Sequence, residues 1–383
     1  MILHLVPDEK VVPRAIEQFE QANPNKNIFI CFKNKKTQGK FVNESNKVFY
    51  NHSFRANEIK FHQVRLVCIH FLDEIKLSYY YKHGLNNKTT LLIPWGADLY
   101  NTFLYNRGFK IYSENNSFFL SDVKYHTLGM PLLVKPFVKF AKIMREYVQN
   151  YKKKKVDRII ENFLTNDLDY LMASESFRNR LSNHVKMKKL RGLVRYTYYP
   201  IETTLGELDG LWCKGNNIMI GNSASFTNNH EYIYEYIHNL DLSNNTITLP
   251  MNYGGNEAYI GIVRDKFVSL PKCSILEDFL PLKEYNKLML ETSTFVYGHF
   301  RGEAMGNILI ALYLGGKVYM SKNSPSYNNL QRMGFIIFKL EEIQETFNYR
   351  LTNDEKINNR TIALANYSTE KNRENIRIIC NLS

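Results

Sequence analysis

Short apolar runs alternate with longer stretches of helical periodicity along almost the whole chain. In the first half the runs are Ile2–Val6, Ile28–Phe32, Val64–Ile69, Thr90–Ile93 and Tyr170–Ala173. In the second half they are Ile218–Ile220, Thr246–Leu249, Ser274–Leu276, Thr294–Tyr297, Lys317–Met320 and Ile336–Phe338. Their length, continuity and β-branched or aromatic content predict strands buried on both faces of parallel sheets. The intervening helical patterns predict right-handed βαβ crossovers. Two doubly wound α/β domains fit this repetition better than one sheet of eleven strands. The spacing places a boundary near Arg191–Glu207. Residues 1–195 form a first Rossmann-like domain, 196–345 a second, and 346–383 a polar helical tail that packs back on the first.

At 383 residues, 44% hydrophobic and 14% aromatic, the chain has material for two cores. Lys and Arg number 50 against 37 acidic residues, a net charge of +13. That excess favours an anionic partner without choosing among phosphate, nucleic acid and an anionic membrane face. No recognition module or regular aromatic–basic interleaving supports nucleic acid. The five cysteines (Cys31, Cys68, Cys213, Cys273, Cys380) are widely spaced and include no C-x-x-C, which predicts reduced thiols and a cytosolic setting. The first seven residues read as a strand rather than a signal segment. No apolar run approaches the roughly 18 residues that a membrane span needs.

In open α/β sheets, ligands sit beyond the carboxyl ends of the strands, so the residues following each run are the candidates. Gly221-Asn222-Ser223-Ala224-Ser225 follows one run and leads to a helix start at Thr227–His230. Helix N-termini carry unpaired N–H groups and a positive dipole end, which suits a phosphate. G-x-S-x-S lacks the second glycine of the hydrolase elbow, so Ser223 reads as an anion contact rather than a nucleophile. Gly298–Asn307 is the second such loop. Arg301 offers a fork for phosphate, Gly302 close backbone approach, and Glu303 an acceptor for sugar hydroxyls. Pro250–Glu257 adds Tyr253, Asn256 and Glu257. In the first half, Asp98 is either a general base or a helix cap, and His70 either a base or a polar lid. Asp167-Leu168-Asp169 precedes a strand and reads as a solvated turn. No cluster has metal-ligand spacing, and neither G-x-x-x-x-G-K-[ST] nor G-x-G-x-x-G occurs. Met130–Arg145, with Lys135, Phe137, Lys139 and Lys142, interleaves apolar and basic residues as a surface-lying amphipathic helix does. Lys152–Lys155 follow it.

The chain resembles the bacterial TDP-N-acetylfucosamine:lipid II N-acetylfucosaminyltransferases. The likeness lies in Trp95-Gly96-Ala97-Asp98-Leu99-Tyr100, Gly221-Asn222-Ser223 with Asn228 and His230, Pro250-Met251-Asn252-Tyr253 with Asn256-Glu257-Ala258-Tyr259, and Gly306-Asn307. It is strongest from Tyr198 to Pro325. The resemblance implies the two-Rossmann glycosyltransferase fold of type B (GT-B), with its domains facing a cleft. It also implies a nucleotide-sugar donor in the second domain; the expected donor is a nucleoside diphosphate sugar of dTDP, UDP or GDP type, held without a metal or other cofactor by Gly221, Asn222, Ser223, Ser225, Tyr253, Asn256, Glu257, Arg301, Gly302, Glu303 and Asn307. A lipid-linked saccharide acceptor near Asp98 and His70, and peripheral attachment to the cytoplasmic face of the inner membrane, follow from the same likeness. Two departures bear on the donor. Ser225-Phe226 stands where the family carries Asp-Arg, and Arg301-Gly302-Glu303-Ala304 differs from an Arg-Gln-Gln-Gly type of loop. An epimerase of the same fold and a non-catalytic sugar-nucleotide binder remain as alternatives.

Overall fold

A computed structural model describes residues 1–33, 39–53, 59–114 and 154–383. The basic stretch with Lys135, Phe137, Lys139 and Lys142 lies outside them. Two compact units divide the chain. The first holds Met1–Phe109, the segment up to Tyr199, and Glu370–Ser383; the second holds Pro200–Thr369 and the residues from Lys110.

The first unit is built on a seven-stranded, wholly parallel sheet. Its strands are β1 (Ile2–Pro7), β2 (Asn27–Phe32), β3 (Val48–Tyr50), β4 (Leu66–His70), β5 (Thr89–Ile93), β6 (Tyr170–Met172) and β7 (Gly192–Val194), in the order β3-β2-β1-β4-β5-β6-β7. The second unit has six parallel strands: β8 (Asn217–Ile220), β9 (Ile247–Pro250), β10 (Cys273–Leu276), β11 (Thr292–Tyr297), β12 (Lys317–Met320) and β13 (Phe338–Lys339). Their order is β10-β9-β8-β11-β12-β13. Both sheets therefore have the doubly wound 3-2-1-4-5-6 arrangement, with a topological switch between β1 and β4 and another between β8 and β11.

Burial explains the strands. The first five residues of β1 are all inaccessible, as are all of β4, because helices cover both faces. The Val12–Ala22 helix carries Pro13 in its first turn and buries Val12, Ala15 and Phe19, one stripe at helical spacing, against β1 and β2. In the second unit the Met305–Tyr313 helix buries six consecutive residues from Ile308, so it is enclosed all round.

The two strands that the apolar pattern misses, β3 and β7, are three-residue edge strands. β7 falls at the start of the stretch where the boundary is expected, and the chain passes to the second unit after Tyr199, within that stretch. The tail divides as well. The Asn353–Tyr367 helix, started by a Thr352–Glu355 capping box, belongs to the second unit. There the buried Asn359 binds both the N–H and the carbonyl of Ile336 at 2.7 and 3.0 Å. Only Glu370–Ser383 joins the first unit, where Ile376, Ile379 and Cys380 enter the core beside Ile2 and Cys68.

Asp167 and Asp169 stand before β6, at the amino-terminal edge of the sheet, and the solvated-turn reading is corrected. Asp169 is fully buried, takes the Thr90 N–H at 3.0 Å, and pairs with Lys189 and Arg191 at 3.1 Å each. Asp167 accepts from the Tyr81 hydroxyl at 2.7 Å. All five cysteines are unpaired. Among the described residues no helix is long and apolar enough to cross a membrane, and no group of three or more His, Cys, Asp or Glu is placed to hold a metal ion.

Candidate functional site

Three loops meet beyond the carboxyl ends of β8, β9 and β11, beside the switch in the second sheet. The first begins at Gly221, whose φ of +69° turns the chain away from β8. A Cβ there would sit 2.7 Å from Asn228 Oδ1, so glycine is required for space as well. Asn228 closes the loop on itself. Its Oδ1 takes the Asn222 N–H at 2.9 Å, and its Nδ2 donates to Ser223 Oγ at 3.0 Å. The loop after β9 packs on this one. Tyr253 accepts the Ala224 N–H at 2.8 Å on its carbonyl, and its hydroxyl takes Asn222 Nδ2 at 3.0 Å.

Four of the five amides of the Gly221–Ser225 loop are bonded within the fold. Gly221 N–H goes to Val296, Asn222 N–H to Asn228, Ala224 N–H to Tyr253 and Ser225 N–H to Ser223 Oγ. A backbone already satisfied in this way cannot wrap an anion without breaking bonds. What remains for an anion is the pair of helix starts behind the loops. The His230–Ile237 helix begins at Asn229, held at φ +52°, and the Met305–Tyr313 helix begins at Ala304, held at φ +58°. Neither start has a side-chain cap. Asn229 instead spends its amide on Gly298, donating to the carbonyl at 2.8 Å, and its Oδ1 accepts the Ser113 N–H at 3.0 Å. Both helices therefore present uncapped N–H groups and the positive end of the dipole.

The loop after β11 supplies the charged groups. Arg301, 9% exposed, donates from Nε to Glu303 Oε2 at 2.8 Å, and Thr227 donates to the same oxygen at 2.6 Å. Burial pushes the Glu303 carboxyl up; His299, Arg301 and Thr227 together outweigh burial and hold it below the usual range. Ser225 and Thr227 share a hydrogen bond of 2.8 Å, so the chain Ser225–Thr227–Glu303–Arg301 ties the β8 loop to the β11 loop.

His299 is fully enclosed behind this chain. Its Nε2 stands 3.1 Å from both Asn222 Oδ1 and Asn228 Oδ1, two acceptors, which places the proton on Nε2. Its Nδ1 and the Nε2 of His230 are buried without a hydrogen bond. Burial pushes His299 below its ordinary value and His230 to about 3. Gly298 is another forced glycine, since a Cβ would lie 2.6 Å from the Asn228 carbonyl.

Of the predicted donor residues, Gly221, Asn222, Ser223, Ser225, Tyr253, Arg301 and Glu303 thus meet in one hydrogen-bonded layer, with Gly302 between the last two. Asn256 caps the Glu257–Phe267 helix, accepting from the Tyr259 N–H at 2.9 Å, and Glu257 is exposed in its first turn. Asn307 is half-buried in the first turn of the Met305–Tyr313 helix. Sequence reasoning did not give site roles to Thr227, Asn229 and His299. The signal for His299 was its place two residues after β11.

Asp98 and His70 belong to the first unit, and both are enclosed. The Asp98 carboxylate accepts from the Leu72 N–H at 2.8 Å and the Trp95 N–H at 3.0 Å, where it fastens the loops after β4 and β5. Burial raises it to about 6. His70 is 0% exposed; it lies 3.1 Å from His4 and 2.6 Å from the Tyr198 hydroxyl, which also takes the Trp95 indole N–H at 2.8 Å. Burial pushes His70 well below its ordinary value. The Asp98 side chain makes no cap bond to the Leu99–Leu104 helix that follows it; it ties the β4 and β5 loops together instead.

No family model matches the sequence. Solved structures match it in fold over the full chain. A glycosyltransferase from Rickettsia africae has a TM-score of 0.59 at 12% identity, covering 100% of this chain and 99% of that one. HepE of Anabaena, solved in complex with UDP and glucose, has a TM-score of 0.61 at 11% identity, covering 100% of both. WaaG, a glycosyltransferase involved in lipopolysaccharide biosynthesis, has a TM-score of 0.53 at 8% identity, also covering 100% of both. At such identities the likeness establishes the fold. Two doubly wound Rossmann-like units in one chain are the GT-B arrangement.

Proposed function

We propose that the protein is a glycosyltransferase that takes a nucleoside diphosphate sugar at the β8–β9–β11 loops of its second unit. One observation carries the reading. Two helix starts without side-chain caps, a buried arginine and a carboxylate held ionised converge at the switch point of a doubly wound sheet. The diphosphate would lie against the start of the Met305–Tyr313 helix with Arg301 beside it, and the developing charge of the leaving group would be met by groups already in place. Glu303 would orient a sugar hydroxyl and keep Arg301 aligned. In the reaction an acceptor hydroxyl oxygen bonds to the anomeric carbon as the bond from that carbon to the phosphate oxygen breaks. The electron pair leaves with the nucleoside diphosphate, and the hydroxyl proton passes to a base. HepE's complex with UDP and glucose, on the same fold, supports a nucleotide-linked hexose as donor.

The finer reading is a fucose- or N-acetylfucosamine-type sugar, a lipid-linked saccharide acceptor taken by the first unit, no metal requirement, and peripheral attachment to the anionic cytoplasmic face of a bacterial inner membrane. It is supported by the sequence resemblance and the net positive charge. In it, Asp98 and His70 are positioning residues that hold the loops after β4 and β5.

The test is thermal denaturation with UDP, dTDP and GDP, each with Mg²⁺ and with EDTA. A ligand that binds only the folded state raises the melting temperature. A shift with one nucleotide that survives EDTA is expected. No shift with any of them overturns the donor-site assignment. A shift only with Mg²⁺ overturns the metal-free part alone.

A further inference from the structure

Two aromatic rings stand in the open at the edge of this layer. Tyr253, after β9, is 51% exposed, and Phe279, after β10, is 74% exposed. Their centroids are 6.3 Å apart and their planes only 10° from parallel. Leu282, 73% exposed, stands three residues further on, so exposed apolar side chains cluster here rather than occurring singly. Tyr253 is not placed there by chance of a loose loop. Its hydroxyl is held by Asn222 and its carbonyl by Ala224, and Gly255 sits so close that a Cβ would meet the Ala224 carbonyl at 2.4 Å.

We infer that Tyr253 and Phe279 form the stacking platform for the nucleobase of the donor. The inference rests on the donor-site reading above and extends it. With the diphosphate at the start of the Met305–Tyr313 helix, after β11, a nucleoside that crosses the switch point runs over the carboxyl ends of the strands beyond β8. Here those strands are β9 and β10, the two that carry the exposed rings. Tyr253 follows β9, the strand next to β8, and Phe279 follows β10 at the edge of the sheet. Stacking on flat rings is tolerant of the base, so the pair supplies affinity, and discrimination among bases falls to polar groups around it.

The experiment is calorimetric titration of the full chain with UDP, dTDP, GDP and inorganic pyrophosphate. Phe279→Ala changes an exposed side chain and leaves the fold intact. It is expected to weaken the nucleotide that binds best by about 5- to 100-fold, the range for loss of one stacking ring. Pyrophosphate binding should not change, and Phe279→Trp should restore the nucleotide affinity. Tyr253→Phe, which keeps the ring and loses only the hydrogen bond to Asn222, should bind within about threefold of wild type, whereas Tyr253→Leu should not. If wild type binds a nucleotide and Phe279→Ala binds it equally well, the platform is refuted and the donor site stands. Equal weakening of pyrophosphate also refutes it, because the ring then acts on the phosphate site. If wild type binds no nucleotide, the donor-site reading fails and the platform with it.

Discussion

Mild acidification should destabilise the first unit through two buried histidines. His4 and His70 are both 0% exposed and 3.1 Å apart in its core, and burial holds His4 at about 3 and His70 well below its ordinary value. Both stay neutral when folded, while in the unfolded chain each takes up a proton near 6.5. Because the unfolded state binds more protons, stability falls as pH drops through 6.5 and keeps falling towards the folded values. Between pH 7.5 and 5.5 each such histidine costs about 1.4 kcal/mol. Asp98 works in the opposite direction. Its folded pKa is raised to about 6, so protonating it in the fold returns about 0.8 kcal/mol over the same interval. The expected net loss is about 2 kcal/mol, a large fraction of a domain's stability. The assay is urea unfolding followed by fluorescence. Only two tryptophans exist, and Trp212→Phe leaves Trp95, whose indole binds Tyr198 in the same buried network, as the reporter of the first unit. His70→Gln should reduce the pH-dependent loss by about 1.4 kcal/mol, whatever its stability at pH 7.5. An unfolding midpoint that does not move between the two pH values, or a variant with the full wild-type loss, refutes the assignment of neutral buried histidines.

Three further outcomes follow from the geometry. Glu303→Gln removes the carboxylate charge that Arg301 Nε meets at 2.8 Å in a nearly closed site. It should destabilise the second unit by about 3 kcal/mol in the same urea assay, and an effect below about 1 kcal/mol would show that Arg301 is solvated. Gly298→Ala forces a Cβ to within 2.6 Å of the Asn228 carbonyl and 2.9 Å of Ile233, so calorimetry should record a clear drop in melting temperature, of order 1–3 kcal/mol in stability. Asp98→Ala orphans the buried N–H groups of Leu72 and Trp95 and should cost about 2 kcal/mol. Asp98→Asn, measured per folded molecule, should retain turnover of a donor that the nucleotide panel identifies, and a drop of a hundredfold or more would restore the base role.

Parallel order was legible because buried strands are written as continuous apolar runs. Every predicted run from Ile2–Val6 to Lys317–Met320 coincides with a strand to within two residues. Val48–Tyr50 and Gly192–Val194 were not legible, since an edge strand of three residues has no run to display. The loops Gly221–Ser225 and Gly298–Asn307 stood out through their glycines and their place after a run. Their internal pairing did not, because whether an amide N–H is free depends on residues such as Asn228 and Tyr253 that only folding brings near. Asp169 shows the same limit: its partners Thr90 and Arg191 lie on either side in sequence and meet it only in the sheet.

The division of the tail has a consequence for synthesis. Ile376, Ile379 and Cys380 fill part of the core under β1 and β4, and Arg65 reaches the carbonyls of Cys380 and Leu382. A growing chain makes β1 before residues 200–369 and this helix after them. On the ribosome the first sheet therefore waits with an apolar slot open until the second unit has been made. The second unit, nearly contiguous in sequence, can close first. The order of maturation runs against the order of translation, and shielding of that slot is the step at which a nascent chain of this protein is most exposed to aggregation.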